Sequence, residues 1–182
     1  MGDFVGYELS FFEEPKTYAG IMKDYHYRGY RGEQGRQVKF CIACDFQIIG
    51  AISATSAIWA SKHRDEFFKI DKGNRREKIQ TIINNGRFCL IPRWKNLGTQ
   101  VLRKWRNESV RIWKERYGGD VIGFETFVEG GRTGSVYKAD NWVFVGETAG
   151  TEVSKGYGTL KNNMNRAIRK HGEKKLIFCR KR

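Results

Sequence analysis

The stretch CLIPRWKNLGTQVLRKW (residues 89–105) contains an apolar strand, a polar loop and the start of an amphipathic helix. From Leu97 onward, apolar residues recur at helical spacing, and basic residues fall on the opposite side. The first turn of a helix has N–H groups without internal partners and favours negative charge. The helix start at Gly98 can therefore face a phosphate or an acyl oxygen; the alternative is that Gly98 only permits the turn.

The rest of the chain alternates strand and helix patterns around this unit. Strand patterns occupy residues 38–54 (two strands with a turn near 45–47), 87–91, 121–128, 142–148 and 175–179. Helical patterns occupy residues 16–27, 74–85, 98–117 and 135–141. This order predicts an α/β (α+β) fold, in which one central mixed sheet carries the long helix that follows the Arg87 strand.

The chain is strongly basic, with 34 Lys and Arg residues against 20 Asp and Glu residues and a formal net charge of +14. Such an excess indicates a polyanionic partner, and nucleic acid is the first candidate. A membrane surface is the competing polyanion, but the sequence has no apolar run of about 18 residues and no signal segment. We therefore expect a soluble, cytoplasmic protein that binds DNA and not membranes.

The four cysteines are predicted to be side chains of the core. Cys41 and Cys44 have the spacing of half a zinc site, but they lie within a strand pattern and no second close pair completes the ligand set. Cys89 and Cys179 also lie in apolar runs, where a thiol packs as a small hydrophobic group. We predict no metal site from these residues.

A change in composition after Gly150 separates residues 1–150, the predicted catalytic domain, from a basic appendix at 151–182, which we expect to pack on or extend the same domain. Residues 154–182 carry ten Lys or Arg residues and one acid, Glu173. This density of positive charge favours contact with phosphates. The residues of the appendix that we predict to bind DNA are Lys155, Lys161, Arg166, Arg169 and Lys170.

Several polar residues stand out by their position. Arg87 interrupts an apolar strand, where a charge needs a partner or a ligand, so it either binds an anion or pairs with Glu125. Glu125 lies inside the strand 121–128 and is either a member of an ion pair or a general base with a raised pKa. His26 suits a general base, a metal ligand or a structural role. Asn96 is expected to cap the long helix.

Three blocks of the sequence resemble two related bacterial families. The blocks are YHYRGYRG (25–32), INNGRFCLIPRWKNLGTQVL (83–102) and GSVYKADNWVFVGETAG (134–150). Together with IIGAISATSAIW (48–59), they resemble the Mom family of bacteriophage DNA-modifying proteins and the family of the Druantia-type anti-phage defence protein A. The similarity covers about residues 25–150, and the third block is the most specific. The Druantia-like similarity is the closer of the two.

The resemblance implies the acyltransferase fold of the GNAT superfamily and a reaction on DNA. The Mom family adds an acetamide-like group to the exocyclic amine of adenine in phage DNA, which protects the DNA from restriction enzymes. The implied function is therefore transfer of a small acyl-derived group to DNA adenine. Two alternatives are a non-catalytic DNA-binding module of an anti-phage defence or mobile-element system, and an N-acetyltransferase acting on a protein or a small amine.

The resemblance also implies roles for individual residues. The catalytic residues would be His26, Arg87, Thr99, Glu125 and Tyr137. Tyr137 stands where GNAT enzymes often keep a tyrosine that protonates the leaving group. The residues that would bind substrate or DNA are Tyr27, Arg28, Asn96, Gly98 and Asn141. Tyr27 could stack on a base, and Asn141 is expected to form the turn into the last strand of the domain.

The sequence departs from GNAT enzymes at the loop that binds the pyrophosphate of the donor. That loop follows the pattern Gln/Arg-x-x-Gly-x-Gly/Ala, whereas KNLGTQ offers Lys95, Gly98 and Gln100 in those places. The departure weighs against acetyl-CoA as the donor and leaves the acyl donor unidentified. The helix start would still stabilise a developing oxyanion.

Overall fold

The computed structural model describes residues 8–33, 35–129, 131–148 and 174–182. The strands are β1 (Leu9–Phe12), β2 (Gln37–Cys44), β3 (Gln47–Ser56), β4 (Ile82–Asn84), β5 (Phe88–Leu90), β6 (Gly123–Val128), β7 (Val143–Glu147) and β8 (Leu176–Lys181). The helices are α1 (Pro15–Tyr25), α2 (Lys62–Phe68), α3 (Arg75–Lys78), α4 (Leu97–Tyr117) and α5 (Ser135–Ala139).

All eight strands form one mixed sheet, which confirms the predicted fold class. The strand order is β1-β2-β3-β4-β6-β8-β7, and β5 also pairs with β3. The β4–β6 pair is parallel, and the other pairs are antiparallel. The last strand of the chain, β8, lies between β6 and β7 and so belongs to the same sheet as the earlier strands.

Helices cover both faces of the sheet because the strands are apolar on both sides. Val38, Phe40 and Ile42 of β2 point to the α4 face, where Trp105 and Trp113 are buried. Cys41, which lies between them in the sequence, points to the opposite face and packs against α1. This alternation is the two-residue period of a strand that is buried on both sides. Among the described residues, no helix is both long enough and apolar enough to cross a membrane.

The prediction of a helix over residues 74–85 is wrong beyond its first turn. α3 ends at Lys78, a short 3-10 turn follows over Ile79–Thr81, and β4 begins at Ile82. Ile82 and Ile83 are fully buried in the sheet. Their burial between β3 and β6 outweighs the helical preference of the charged residues before them. The prediction that all four cysteines are buried is confirmed.

The sheet opens where β4 passes into β5. β4 pairs with β6 through Asn84 and Glu125, and the Asn85 N–H donates to the Glu125 carbonyl at 2.8 Å. Beyond this point β5 pairs with β3, whereas residues Thr126–Val128 of β6 pair with β8. The Asn85 side chain donates to the Ser53 carbonyl at 3.1 Å, which ties this end of β4 to β3. The two neighbouring strands therefore separate, and a gap remains between β5 and the end of β6.

Candidate active site

A cavity of about 440 Å³ occupies the gap between β5 and β6. Four segments of the chain contribute its walls: 26–28 after α1, 85–88 between β4 and β5, 126–128 of β6, and 131–137 leading into α5. His26, Tyr27, Arg28, Arg87 and Tyr137 all line it, so the fold brings together five of the residues predicted to form the site. These residues come from three distant parts of the sequence.

Tyr137 forms the buried end of this cavity. Its side chain is 7% exposed, and its hydroxyl donates to Asn85 Oδ1 at 2.6 Å. Burial raises the pKa of Tyr137 to about 12, so the phenol keeps its proton at neutral pH. The preceding Gly134 has a φ of +64°, and a Cβ there would overlap the ring of Phe178. The glycine therefore lets α5 begin close enough to the sheet for Tyr137 to reach the gap.

Arg87 lines the cavity and has a buried hydrogen-bond donor without a partner among the described residues. Its Nη1 donates to the Gly86 carbonyl at 3.1 Å. Its Nε is buried, and within the described part of the chain it has no hydrogen-bond partner. Buried donors of this kind are rare unless a ligand or water satisfies them. The guanidinium is therefore available to an anionic ligand.

The segment after α1 adds a histidine and an aromatic surface. The His26 ring stacks on Tyr27 with the ring centroids 4.6 Å apart, and His26 Nδ1 accepts from the Arg28 N–H at 3.3 Å. Burial and the nearby guanidinium groups, chiefly that of Arg87, lower the pKa of His26 to about 4. The imidazole is therefore neutral at physiological pH.

The cavity mouth carries more positive than negative charge. Arg28 pairs with Glu129 at 2.9 Å, and the guanidinium of Arg132 lies 4.0 Å from the centre of the Tyr27 ring. Arg28, Arg87 and Arg132 all line the cavity, whereas none of the described residues lining it is an Asp or a Glu. An anion is the ligand that this arrangement favours.

Glu125 does not belong to this cavity, and the predicted pair with Arg87 is wrong. Glu125 is fully buried, pairs with the Nη1 of Arg64 and accepts from the Ile58 N–H at 2.8 Å. Successive residues of a strand point to opposite faces. Thr126 therefore points toward Tyr137, while Glu125 points to the α2 face. The ion pair is therefore present, and burial also raises the pKa of Glu125 to about 7. Its position outside the cavity lining does not suit a general base there.

The start of α4 also lies outside the cavity lining. Asn96 is the N-cap residue of α4, as predicted, but its side chain makes no cap hydrogen bond. The Thr99 hydroxyl donates to the Asn96 carbonyl at 2.8 Å. A Cβ on Gly98 would lie 2.6 Å from Val136 Cγ2, so the absent side chain lets α5 pack on α4.

The backbone of Asn96 changes how the loop before α4 compares with the pyrophosphate pattern. Asn96 has a φ of +61°, a left-handed conformation that glycine adopts most easily and Asn tolerates. The pattern Gln/Arg-x-x-Gly-x-Gly/Ala then falls on Arg93, Asn96 and Gly98. The placement on Lys95, Gly98 and Gln100 is the alternative register, since the sequence does not show which residue takes the left-handed conformation.

The remaining predicted residues lie elsewhere. Asn141 has a φ of +59° and donates its N–H to the Lys138 carbonyl at 3.1 Å, which confirms its place in the turn before β7, outside the cavity lining. Lys155, Lys161, Arg166, Arg169 and Lys170 lie outside the described residues. Sequence reasoning missed Asn85, Thr126 and Arg132; the signal for Asn85 was an amide inside an apolar strand pattern. Within the described residues, no group of three or more His, Cys, Asp or Glu side chains could hold a metal ion.

Comparison with known proteins gives a family match over most of the chain. The family model described as Druantia protein DruA matches residues 12–179. No curated protein matches the chain by sequence. The family match supports the Druantia part of the resemblance, and these comparisons give no support to the Mom part.

Solved structures establish the fold. The Arabidopsis thaliana NAA60 structure, a complex with a bisubstrate analogue, has a TM-score of 0.61 and 11% identity, covering 96% of this chain and 98% of that chain. A Bacillus subtilis acetyltransferase in complex with CoA has a TM-score of 0.57 and 6% identity, covering 97% and 99%. The Escherichia coli ribosomal-protein-S18-alanine N-acetyltransferase has a TM-score of 0.52 and 10% identity, covering 97% and 94%. The chain therefore has the GNAT acetyltransferase fold.

Proposed function

Because the chain belongs to the Druantia protein DruA family and has the GNAT acetyltransferase fold, we propose that it transfers a small acyl-derived group to a nucleobase amine in DNA. The exocyclic amine of adenine is the first candidate acceptor. The name of the family favours a place in anti-phage defence over the protection of phage DNA that the Mom resemblance implied.

One observation carries this proposal: the cavity at the strand separation combines a protonated buried phenol with an unsatisfied guanidinium. Tyr137 lies at its inner end, and Arg87 reaches into it with a free buried Nε. The phenol supplies a proton donor, and the guanidinium supplies a partner for a phosphate or a developing oxyanion. Acyl transfer to an amine on an anionic substrate can use both.

The chain's own residues account for the proton transfers. The acceptor nitrogen forms the new bond to the acyl carbon, and the bond from that carbon to the leaving group breaks. The neutral imidazole of His26 can accept the proton that the amine loses. The Tyr137 hydroxyl can give a proton to the leaving group, and Asn85 Oδ1 orients that hydroxyl.

The residues at the start of α4 fit the pyrophosphate of a coenzyme A thioester. Asn96 has the left-handed backbone conformation that glycine adopts most easily, and its side chain does not cap the first turn of α4. Arg93 and Lys95 are exposed in the same loop and add positive charge. A bound thioester would supply an activated acyl carbon and a thiol leaving group.

A base of duplex DNA must leave the stack to reach this cavity. Tyr27 is 50% exposed beside the mouth and can stack on an extruded base. Arg28 and Arg132 flank Tyr27 and can contact the neighbouring phosphates. This proposal places the base on the α1 side of the gap and the leaving group on the Tyr137 side.

Nucleoside mass spectrometry tests the proposal on plasmid DNA from cells that express the protein. The wild type should produce a new adenosine-derived mass, and Tyr137→Phe and Arg87→Ala should abolish it. Tyr25→Phe and Arg76→Ala are matched controls, because both residues are exposed and outside the cavity lining. Unmodified DNA with acylated protein or a small amine would overturn the DNA substrate and favour the N-acetyltransferase alternative.

The absence of any carboxylate from the described cavity lining favours a second candidate, a non-catalytic DNA-binding module. A neutral His26 with a pKa of about 4 is a weak base, and a binding pocket needs no base. This candidate predicts wild-type DNA binding in Tyr137→Phe and His26→Gln and no modified nucleoside. Fluorescence anisotropy with the same variants separates the two candidates.

A further inference from the structure

A second basic surface lies apart from the cavity, at the start of β6. A groove of about 520 Å³ runs between the second half of α4 and the end of β8, with Phe124 at its base. Six of its nine lining residues are basic and none is acidic: Arg106, Arg111, Lys114, Arg180, Lys181 and Arg182. The ammonium of Lys181 itself lies 5.5 Å from the centre of the Phe67 ring of α2, so the other five supply the charge of the groove. The cavity lies at the other end of β6, beside residues 126–128.

The fold holds these cations together although they repel one another. β8 pairs with the start of β6, with Phe124 opposite Arg180, so the last residues of the chain lie beside α4. Burial and the charges of Arg180 and Arg103 lower the pKa of Arg106 to about 10. Arg180 Nη1 donates to the carbonyl of Asp140, which carries no charge. Crowding of like charges on rigid elements favours an anionic ligand.

Nearby acids offset only part of this charge. Arg106 pairs with Asp140, Arg111 with Glu108 and Glu115 at 3.1 and 3.3 Å, and Lys114 with Asp120 at 3.2 Å. Arg111 and Lys114 have side chains 60% and 66% exposed, and pairs this exposed are weak and give way to stronger partners. Arg180, Lys181 and Arg182 form no salt bridge within the described residues.

We propose that the groove between α4 and β8 binds the phosphate backbone of DNA, at a surface separate from the cavity. Residues 106–114 of α4 extend over about 12 Å. At about 3.4 Å of helix axis per phosphate, this length corresponds to three or four successive phosphates of one strand. A single small anion would leave most of these cations unused. The groove supplies backbone affinity and no base readout, since phosphate contacts carry no sequence information.

The test compares two triple variants that remove the same charge. The groove variant is Arg111→Gln, Lys114→Gln and Arg182→Gln, and the control variant is Lys62→Gln, Lys72→Gln and Arg76→Gln. All six residues are exposed, and the control residues line neither the groove nor the cavity. Duplex binding is followed by fluorescence anisotropy over a series of salt concentrations, with urea unfolding as the check on folding.

The groove variant should bind the duplex at least about tenfold more weakly. The slope of log affinity against log salt concentration should become shallower by about 2.7, because each of the three lost phosphate contacts contributes about 0.9. The control variant should keep the wild-type slope. Equal losses in both variants, or no loss in the groove variant, would overturn the proposal. Loss of binding to phosphatidylserine vesicles with unchanged duplex binding would also overturn it, in favour of a membrane surface.

The experiments test this proposal independently of the proposed acyl transfer. Tyr137→Phe should bind the duplex with the wild-type salt slope, because Tyr137 lies outside the groove. If no modified nucleoside is found but the groove variant loses its slope, the transfer reaction is refuted and the groove is supported.

Discussion

His26 and Arg87 line the same cavity, and the charge of one affects the protonation of the other. Arg87 is the largest charged contribution to the lowered pKa of His26, after burial of the imidazole itself. Arg87 keeps its Nε unpartnered within the described residues and so remains available to a ligand. An anion bound to Arg87 would reduce the repulsion that a protonated His26 experiences. Substrate binding would therefore raise the pKa of His26 and strengthen it as a base.

The lowered pKa of His26 predicts a loss of stability in acid. A folded-state pKa of about 4 lies below the unfolded value of 6.5, so the unfolded chain binds a proton more readily between these values. Stability should therefore fall as pH falls from about 6.5 to about 4. His26→Gln should show a smaller fall over this window in urea unfolding series. His63→Gln is the control, and an equal pH dependence in wild type and His26→Gln would contradict the prediction.

At the scale of elements, the contact between α4 and α5 links the two halves of the site. Gly98 lies in the first turn of α4, and Val136 lies beside Tyr137 in α5. The missing side chain at Gly98 lets α5 approach, which places the Tyr137 hydroxyl beside Asn85. The loop before α4 and the phenol of Tyr137 are therefore positioned by one packing contact.

Gly98→Ala should destabilise the protein by about 1 to 2 kcal/mol, because overpacking against Val136 exceeds the helical gain of alanine. Adding Val136→Ala removes the obstructing methyl groups. In urea unfolding, the free energy of unfolding of the double variant should exceed the value predicted by adding the two single effects by at least about 1 kcal/mol. Additive effects would mean that the two side-chain positions do not interact.

At the scale of the whole molecule, a buried ion pair joins α2 to the centre of the sheet. Arg64 of α2 and Glu125 of β6 are both fully buried, and Arg64 also contacts Asp65 and the Ile58 carbonyl. Glu125 lies on the parallel strand pair that precedes the gap, so this pair supports the sheet where it opens. Without Glu125, the buried Arg64 keeps Asp65 and the Ile58 carbonyl but loses one of its two carboxylate partners.

Glu125→Gln should therefore lower the free energy of unfolding by about 2 kcal/mol, the cost of one lost hydrogen bond to a charged group. Glu129→Gln, which breaks the partly exposed pair with Arg28, should cost less than about 1 kcal/mol and is the matched control. Both values come from urea unfolding at constant pH. Equal losses in the two variants would show that the buried pair has no special structural role.

Local patterns predicted the elements well where they were long and periodic. The helix of residues 97–117 and the strands around residues 38–54 and 121–128 follow directly from the spacing of apolar residues. The helix predicted over residues 74–85 does not extend beyond its first turn, because β4 is stabilised by burial between β3 and β6. No local pattern contains that contact. The ion-pair partner of Glu125 was not predicted for the same reason, since Arg64 lies 61 residues away in the sequence.

The sequence by itself determined the excess of positive charge and the alternation of strands and helices, and it indicated Arg87 and Tyr137 as candidate site residues. Only the tertiary structure decided which of them share a cavity. Asn85 bonds to β6 through its backbone and to β3 through its side chain, and beyond it β5 follows β3 and leaves the gap that forms that cavity. The groove likewise exists only because β8 pairs with β6 beside α4. Both sites depend on contacts between distant residues, and a local sequence pattern carries no information about such contacts.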